Sequence, residues 1–403
     1  MAIQLVPLPL PGSADVSKLA DFGREVRGIE LGSLMSEEFK EIEESLYKYS
    51  ALLFRNVNLS PEQQYAFTKA FDPEADAYGH GNNKIESAKT SILQPYLKTI
   101  PRVPQVQLIG HGTVRDHEGI TEAHLKHASH RAFHKTHLSG AEEAAGDTRF
   151  FRWHMDAALY GRALPPPRVT TLYGIRVPQG EGQVVKYGDA TIEGASEDEL
   201  RVPLGTTAFV SGKTMFDIQP RELKSLAVRT SAKYAPHPFA WMATARAVST
   251  GLGLVSEGRE RADKDLPPWK EEDIQVLPVC WKNPVTGELH LQLHPCGVKE
   301  LHIEPVPDAS RRDEALYPDG AHLTDLEEVR RICYKWQRPG IAPNLVYPHD
   351  WREGDLMLFH NRGVMHSVVG KFTEDQIRVF HQCNFATSDF PIGPNDDDIR
   401  RWA

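Results

Sequence analysis

The sequence of 403 residues is poor in cysteine, in clustered basic residues and in long apolar runs. Its four cysteines form no CxxC pair, which argues against a zinc ribbon or a disulfide framework and favours a reducing compartment. No stretch approaches the ~20 apolar residues that span a bilayer. Residues 1–11 have neither the basic region nor the small-residue cleavage site of a signal peptide. We therefore predict a soluble, cytoplasmic protein with no membrane partner.

The charge balance of the chain is acidic. Its formal net charge is −9, because 55 Asp and Glu residues outnumber 46 Lys and Arg residues. Nucleic-acid binding depends on basic surfaces, so we expect no nucleic-acid partner. Hydrophobic residues make up 40% of the chain, which is enough to bury a large core at this length. Composition thus predicts a globular chain and leaves a homo-oligomeric state open.

Residues 1–75 have the pattern of an N-terminal α/β lead-in. Ser36–Tyr47 combines an acidic first turn with apolar residues at helical spacing, which predicts a helix. The short apolar run Ala51–Phe54 predicts a buried strand. Ser60 and Pro61 suit the N-cap and first position of a helix, so we expect a second helix to begin there.

Residues 79–140 are rich in histidine and lack helical or strand periodicity. We therefore predict a long ordered loop region. Long loops are uncommon unless they serve a function, so we assign residues 76–145 to a loop-rich cover over the active site. The histidines from His111 to His137 could suggest a second metal site, but they lack ligand spacing with backing carboxylates, which favours scattered loop histidines.

From Phe150 onward the pattern is that of a β protein. Short segments rich in β-branched and aromatic residues are bounded by Gly, Pro and Asn, which predicts a jelly roll. Asp325–Gln337 instead has the spacing of an amphipathic helix. We predict an α+β fold with a jelly-roll core over residues 146–403 and a helical insertion around 240–350. The predicted strands include Arg168–Tyr173, Thr206–Val210, Ile274–Trp281, His290–His294 and Asp355–Phe359.

An HxD pair is the first candidate for a metal site. His154 and Asp156 are two residues apart, which places both side chains on one face of a strand. His302 and Glu304 form a rival pair of the same kind. A facial triad also needs a distant histidine on a neighbouring strand, and it leaves three coordination positions open. His366, within the apolar segment that follows Gly354, supplies that histidine.

Three separated motifs resemble those of a known family. They are Trp153-His154-x-Asp156, Gly354-Asp355-Leu-x-x-x-x-Asn361-Arg362-x-x-x-His366, and Arg378 twelve residues later. Together they resemble the TauD/TfdA family of Fe(II)- and 2-oxoglutarate-dependent dioxygenases. The resemblance covers most of the chain, so it implies one domain, residues 1–403, whose jelly roll is a double-stranded β-helix.

The family resemblance also implies roles for individual residues. It makes His154, Asp156 and His366 the catalytic Fe(II) ligands. It implies that Arg378 binds the distal carboxylate of the cosubstrate 2-oxoglutarate, and an arginine suits this task because its guanidinium forks onto a carboxylate and keeps its charge when buried. By the same resemblance Thr207 donates its hydroxyl to that carboxylate, and O2 is the other cosubstrate.

A closer resemblance concerns the substrate. Leu164–Gly174, Thr206–Asp217 and Gln382-Cys-Asn384 resemble segments of the xanthine dioxygenase branch of this family. That branch implies hydroxylation of xanthine at C8 to give urate, with succinate and CO2 as coproducts. It also implies substrate-binding residues in the loop region and on the last strand, namely Lys126, Glu142, Glu143, Gln382 and Asn384, with Lys135 as an alternative to Lys126.

Strand parity supports a pocket role for the two amides. Residues 378, 380, 382 and 384 share one strand face unless a bulge intervenes. If Arg378 points into the barrel, then Gln382 and Asn384 do so too, and their donors and acceptors suit the edge of a dioxopurine. The alternative is that both amides are core groups satisfied by the backbone. Glu142 and Glu143 equally fit a solvated helix face.

Two further functions stay open from the sequence. A related dioxygenase that acts on a small sulfonate or carboxylate would need a second arginine in the pocket. No arginine follows Arg378 until Arg400. A catalytically silent jelly roll that binds a metabolite is the other alternative. Such a protein has no chemical reason to keep the metal triad together with its arginine.

Overall fold

The structure is a computed structural model that describes residues 3–75, 98–156, 164–189 and 198–403. The strands are β1 (Gln4–Pro7), β2 (Arg24–Arg27), β3 (Ala51–Phe54), β4 (Lys98–Ile100), β5 (Val103–His117), β6 (Ile120–Leu125), β7 (Asp147–Thr148), β8 (Val169–Arg176), β9 (Gln183–Lys186), β10 (Glu199–Val202), β11 (Thr207–Ser211), β12 (Thr230–Tyr234), β13 (Val276–Pro278), β14 (Cys280–Lys282), β15 (Leu289–Leu291), β16 (Val298–Ile303), β17 (Ala321–Leu323), β18 (Tyr347–His349), β19 (Leu356–His360), β20 (Val364–Val368) and β21 (Arg378–Cys383). The α-helices are α1 (Val16–Leu19), α2 (Ser36–Tyr49), α3 (Pro61–Ala70), α4 (His130–Phe133), α5 (Gly140–Ala144), α6 (Gly212–Asp217), α7 (Arg221–Val228), α8 (Pro238–Trp241), α9 (Leu326–Gln337) and α10 (Asp396–Trp402).

The predicted elements of the lead-in are confirmed. Helix α2 begins at Ser36, as its acidic first turn predicts, and strand β3 occupies the apolar run that follows it. The Ser60 hydroxyl accepts a hydrogen bond from the Gln63 N–H at 3.2 Å and so caps α3. Local sequence signals therefore set these boundaries, because caps and apolar runs act over a few residues.

Two facing sheets carry the residues of the candidate site. The larger has the strand order β1-β2-β3-β19-β8-β21-β5-β4, with β6 paired to β5, and the smaller has the order β18-β11-β20. Phe359 of β19 and Phe380 of β21 share one buried cluster with Phe209 of β11 and Val364 of β20. The rings of Phe209 and Phe359 lie 5.2 Å apart. A mixed fold of helices and sheets is thus confirmed, and the double-stranded β-helix topology stays a prediction.

A second core lies beside these sheets. Sheet β13-β12-β16-β17 shares a buried cluster with α7 and α9, through residues such as Leu226, Leu301 and Trp336. Helix α9 begins after Asp325, whose carboxylate accepts a hydrogen bond from the Glu328 N–H at 2.9 Å. The predicted helix is confirmed, but residues 240–350 also contain strands β13 to β18.

The interpretation of residues 79–140 as a loop region is wrong over 98–125. Strands β4, β5 and β6 form consecutive antiparallel pairs there, and β5 also pairs with β21 over six residues from Arg378 to Cys383. Glycine weakens a strand pattern, and Gly110 and Gly112 lie in the middle of β5. The glycine at 110 is required, because a Cβ there would lie 1.8 Å from the carbonyl oxygen of Arg378. Residues 76–97 of the predicted cover lie outside the described residues.

Candidate active site

The structure brings together the two histidines and the aspartate that the sequence proposes as metal ligands. His154 and His366 face each other in an antiparallel bridge, with N–H to carbonyl distances of 3.0 and 2.8 Å. Asp156 Oδ1 lies 3.9 Å from His154 Nε2 and 3.8 Å from His366 Nε2. All three ligand atoms lie within 4.8 Å of one another. One ion can therefore contact all three side chains.

The histidines are held in the form that binds a metal. The Nδ1 of His154 donates to the Arg152 carbonyl oxygen at 3.0 Å, which directs Nε2 toward Asp156. Burial, together with the nearby charges of His366 and Arg152, lowers the pKa of His154 to about 3. Burial and Arg152 likewise lower the pKa of His366 to about 3. Both rings are thus neutral at physiological pH, as metal ligation requires.

Neighbouring strands orient the carboxylate of Asp156. The Thr170 hydroxyl, on β8, donates to Oδ2 at 2.6 Å. The Gln382 side-chain amide, on β21, donates to both carboxylate oxygens at 3.3 and 3.2 Å. Asn384 extends this network, because its amide nitrogen lies 3.4 Å from the Thr170 hydroxyl oxygen. The two amides proposed for substrate binding therefore also support a candidate metal ligand.

Sequence reasoning missed the positioning role of Asn361. Its side-chain oxygen accepts from the Asp156 N–H at 2.7 Å, and its nitrogen donates to the Asp156 carbonyl at 2.7 Å and to the Pro167 carbonyl at 2.9 Å. The side chain is completely buried. Asn361 stands inside the motif that ends in His366, but its spacing alone does not reveal that it clamps the backbone of a distant ligand.

Arg378 is a buried cation without an acidic partner among the described residues. Its side chain is almost fully buried, with its guanidinium carbon 3.9 Å from the centre of the Phe380 ring. The Nε donates to the Gly205 carbonyl at 3.1 Å and one Nη donates to the Thr207 hydroxyl at 3.3 Å. Burial lowers the pKa of Arg378 to about 9, which still leaves the group charged at neutral pH. Such a site favours an anion.

The Thr207 hydroxyl lies next to Arg378, where it could contact a carboxylate bound by that arginine. Its hydroxyl oxygen accepts from Arg378 and from the Trp351 indole at 3.2 Å, so its own proton is available for donation. Strand β11 pairs with β20, where Phe209 opposes His366 and Thr207 opposes Val368. The threonine and the metal ligand are therefore on adjacent strands two positions apart. Thr206 instead donates to the His349 carbonyl at 2.8 Å.

The parity argument for the last strand holds despite a bulge. Pairing of β21 with β8 shifts between Val379 and Phe380, where β8 carries the extra residue Ile175. Pairing of β21 with β5 continues without interruption. Because the bulge lies on the partner strand, the alternation of β21 is retained, and Arg378, Phe380 and Gln382 stay on one side.

The structure does not bring the three proposed substrate residues of the predicted cover to the metal ligands. Lys126 is exposed, and Lys135, its alternative, pairs with Glu257. The Glu142 carboxylate caps its own helix by accepting from the Ser139 N–H at 2.7 Å. The Glu143 carboxylate is buried and pairs with Arg131 and Lys371. Substrate binding by Lys126, Glu142 and Glu143 stays a prediction. It requires the two glutamates to exchange their present partners for the substrate.

The rival histidine and glutamate pair does not form a site. The structure groups His302 with Glu300 and His322, not with Glu304. His322 is more than half exposed, and the Lys233 ammonium lies 3.5 Å from the Glu300 carboxylate. A cation there would compete with the Lys233 ammonium. The side chains of His154, Asp156 and His366 are only 21%, 11% and 6% exposed, so their group lies deeper in the protein.

Two histidines and one carboxylate that leave further coordination positions open are the ligand set of non-haem Fe(II) oxygenases. The donor types of His154, Asp156 and His366 fit this class, and the buried guanidinium nearby fits an anionic cosubstrate. The model of the taurine catabolism dioxygenase TauD, TfdA family matches residues 15–384. The chain belongs to this family.

Relatives in fungi are similar over nearly the whole chain. It is 48% identical over 397 residues to the alpha-ketoglutarate-dependent xanthine dioxygenase xan-1 of Neurospora crassa, covering 98% of this chain and 90% of that protein. It is 45% identical over 402 residues to the alpha-ketoglutarate-dependent xanthine dioxygenase xan1 of Schizosaccharomyces pombe, covering 98% and 91% of the two. The similarity thus includes the lead-in as well as the candidate metal site.

Solved structures share the fold at low sequence identity. The complex of AAD-2 with Mn(II) and N-oxalylglycine has a TM-score of 0.54 and 17% identity, and the match covers 97% of this chain and all of that one. A taurine dioxygenase from Burkholderia xenovorans gives a TM-score of 0.54 and 17% identity, with coverage of 98% and 92%. In the part of the chain that the structure describes, no helix is both long enough and apolar enough to cross a membrane.

Proposed function

We propose that this chain is an Fe(II)- and 2-oxoglutarate-dependent dioxygenase that hydroxylates xanthine at C8 to give urate. The observation that carries the proposal is the convergence of His154, Asp156 and His366, in a chain 48% identical to a fungal xanthine dioxygenase. Xanthine, 2-oxoglutarate and O2 would yield urate, succinate and CO2. One oxygen atom of O2 enters urate and the other enters succinate, so the reaction balances.

The metal ligands would hold Fe(II) on one side and leave the other side to the reactants. When bound, the iron supplies the redox chemistry that couples O2 and 2-oxoglutarate to oxidation of the substrate. His154 and His366 contribute neutral imidazoles from opposed backbone segments. Thr170 and Gln382 hold the Asp156 carboxylate in one orientation, so the geometry of the triad is fixed before the reactants bind.

Arg378 and Thr207 would anchor 2-oxoglutarate by its distal carboxylate. Two of the N–H donors of Arg378 are used by Gly205 and Thr207, which leaves others to fork onto the carboxylate. Binding of the carboxylate would compensate the positive charge of the buried Arg378 guanidinium, which no acidic side chain among the described residues compensates. The cosubstrate would thereby be oriented with its oxo-acid end toward the metal ligands.

The last strand would contribute to the purine site. Gln382 uses its amide nitrogen for Asp156, which leaves its oxygen to accept an N–H of the purine ring. Asn384, near Thr170, would contact the same edge. Lys126, Glu142 and Glu143 complete the proposed substrate residues.

The test is turnover with a panel of substrates. Purified protein is supplied with Fe(II), ascorbate and 2-oxoglutarate, and succinate and urate are measured with xanthine, hypoxanthine and taurine. We expect succinate above the uncoupled background and urate with xanthine, and neither in His366→Ala. Succinate release with taurine but not with xanthine would refute the purine assignment and leave the cosubstrate assignment standing.

A further inference from the structure

Arg152 lies on the same face of its segment as two metal ligands. Residues 152–156 are extended around the bridge at His154, and their burial alternates. Trp153 and Met155 are 0% exposed in the core, whereas Arg152, His154 and Asp156 are each partly exposed. Side chains two apart on an extended segment point the same way. Arg152 therefore points toward the side on which the metal ligands converge.

No acid compensates the charge of Arg152 among the described residues. Its Nη1 lies 3.7 Å from the Met242 sulfur, and its guanidinium carbon lies 5.5 to 5.7 Å from the centres of the Phe133, Phe151 and Phe239 rings. Its Nε is buried and has no hydrogen-bond partner in the part of the chain that the structure describes. Aromatic faces stabilise a cation only partly, so an anion bound at the Arg152 guanidinium would stabilise it further.

Other buried arginines of this protein show what is missing here. Arg330 contacts Glu260 at 2.5 Å, and Arg338 contacts Asp189 at 2.5 Å. Arg149 and Arg229 also lack a carboxylate partner in the described part of the chain, but their guanidinium groups donate to backbone carbonyl oxygens. Arg152 has neither kind of acceptor there, and Arg378, which also lacks a carboxylate, is the group proposed to bind an anionic cosubstrate. The comparison indicates that Arg152 serves a second anion.

A buried histidine adjoins this arginine. The His294 ring lies 6.2 Å from the His154 ring and 6.3 Å from the Phe239 ring, and the residue is 1% exposed. Among the described residues, neither of its ring nitrogens has a hydrogen-bond partner. Burial, with the charge of Arg152, holds the pKa of His294 well below its usual range, so the ring is neutral. A neutral imidazole offers one donor and one acceptor, both unused here.

We propose that Arg152 and His294 form an anion-binding wall of the substrate pocket, which takes xanthine in its deprotonated form. The inference rests on the proposed function and identifies Arg152 as the cation that faces the purine. The resemblance implies a substrate-binding role for the cation Lys126, which is exposed in the structure. Deprotonated xanthine and a sulfonate both present a delocalised negative charge. Arg152 could therefore also serve as the second pocket arginine that a sulfonate or carboxylate substrate would need.

The experiment measures xanthine binding directly. Protein loaded with Mn(II) and N-oxalylglycine, which cannot turn over, is titrated calorimetrically with xanthine and with taurine. Arg152→Met keeps the length and apolar packing of the side chain, and Arg152→Lys keeps the charge without the fork. Arg115→Met is the matched control, because Arg115 pairs with Glu122 on the exposed hairpin. His294→Phe removes both ring nitrogens and keeps an aromatic ring.

We expect Arg152→Met to weaken xanthine binding by about tenfold or more, since a charge-assisted contact is lost. Arg152→Lys and His294→Phe should weaken xanthine binding less, and Arg115→Met should not change it. The affinity of the Mn(II)-loaded variants for 2-oxoglutarate, titrated in the same way without N-oxalylglycine, should stay within about twofold of the wild type. An unchanged xanthine affinity in Arg152→Met, or equal losses for both reactants, would overturn the inference. Arg152-dependent binding of taurine without binding of xanthine would refute the proposed substrate and keep the anion-binding wall.

Discussion

Replacing Arg378 by lysine separates its charge from its geometry. The guanidinium satisfies Gly205 and Thr207 and still has donors for a carboxylate, whereas an ammonium offers three donors from one point. Loss of a charge-assisted hydrogen bond costs roughly 1.5–3 kcal/mol. That range corresponds to a fall in 2-oxoglutarate affinity of roughly 10- to 150-fold.

The assay is anaerobic calorimetric titration of Mn(II)-loaded protein with 2-oxoglutarate. Arg330→Lys is the control, because Arg330 is also a buried arginine but its charge is paired with the Glu260 carboxylate. We expect Arg330→Lys to lower the melting temperature without changing 2-oxoglutarate affinity, and Arg378→Lys to weaken the affinity within the stated range. Binding by Arg378→Lys within about twofold of the wild type would refute the assignment of this arginine.

Four further predictions follow from the site and the sheets around it. Alanine at any of the three proposed metal ligands should abolish turnover and lower the bound metal measured by elemental analysis, while circular dichroism stays unchanged; full metal retention would exclude that residue. Gln382→Ala and Asn384→Ala should each weaken xanthine binding by about 1–3 kcal/mol, lower xanthine turnover and leave 2-oxoglutarate affinity unchanged. Equal losses of affinity for xanthine and 2-oxoglutarate would indicate general disruption. Asn361→Ala leaves the backbone N–H of Asp156 unpaired, so the free energy of unfolding should fall by about 1–3 kcal/mol and metal affinity should fall with it. Gly110→Ala should destabilise the pairing of β5 with β21, as measured by thermal denaturation, because its Cβ would meet a backbone oxygen at 1.8 Å.

The candidate metal ligands and the candidate cosubstrate arginine could be proposed from sequence because they stand in ordered motifs. His154 and Asp156 are two residues apart on an extended segment, and Arg378 begins a strand whose alternation continues to Gln382. Helix caps such as Ser60 are equally local. Such signals depend on neighbours in the chain, so they can be read without knowing the fold.

Contacts between distant segments could not be read in this way. Asn361 reaches the backbone of Asp156, 205 residues away, and His294 reaches the metal site through packing alone. Strand β5 was missed because Gly110 serves a close approach to β21, which weakens the local strand pattern. The proposed pocket role of Glu143 came from a resemblance, and its carboxylate pairs with Arg131 and Lys371 in the structure.

Simultaneous measurement of urate and succinate tests the central claim most directly. Purified protein is supplied with Fe(II), ascorbate, O2, 2-oxoglutarate and xanthine, and both products are quantified over time. The proposed reaction predicts one urate for each succinate formed above the uncoupled background, and neither product above that background in Asp156→Ala. Succinate without urate, or urate formed without 2-oxoglutarate, would contradict it.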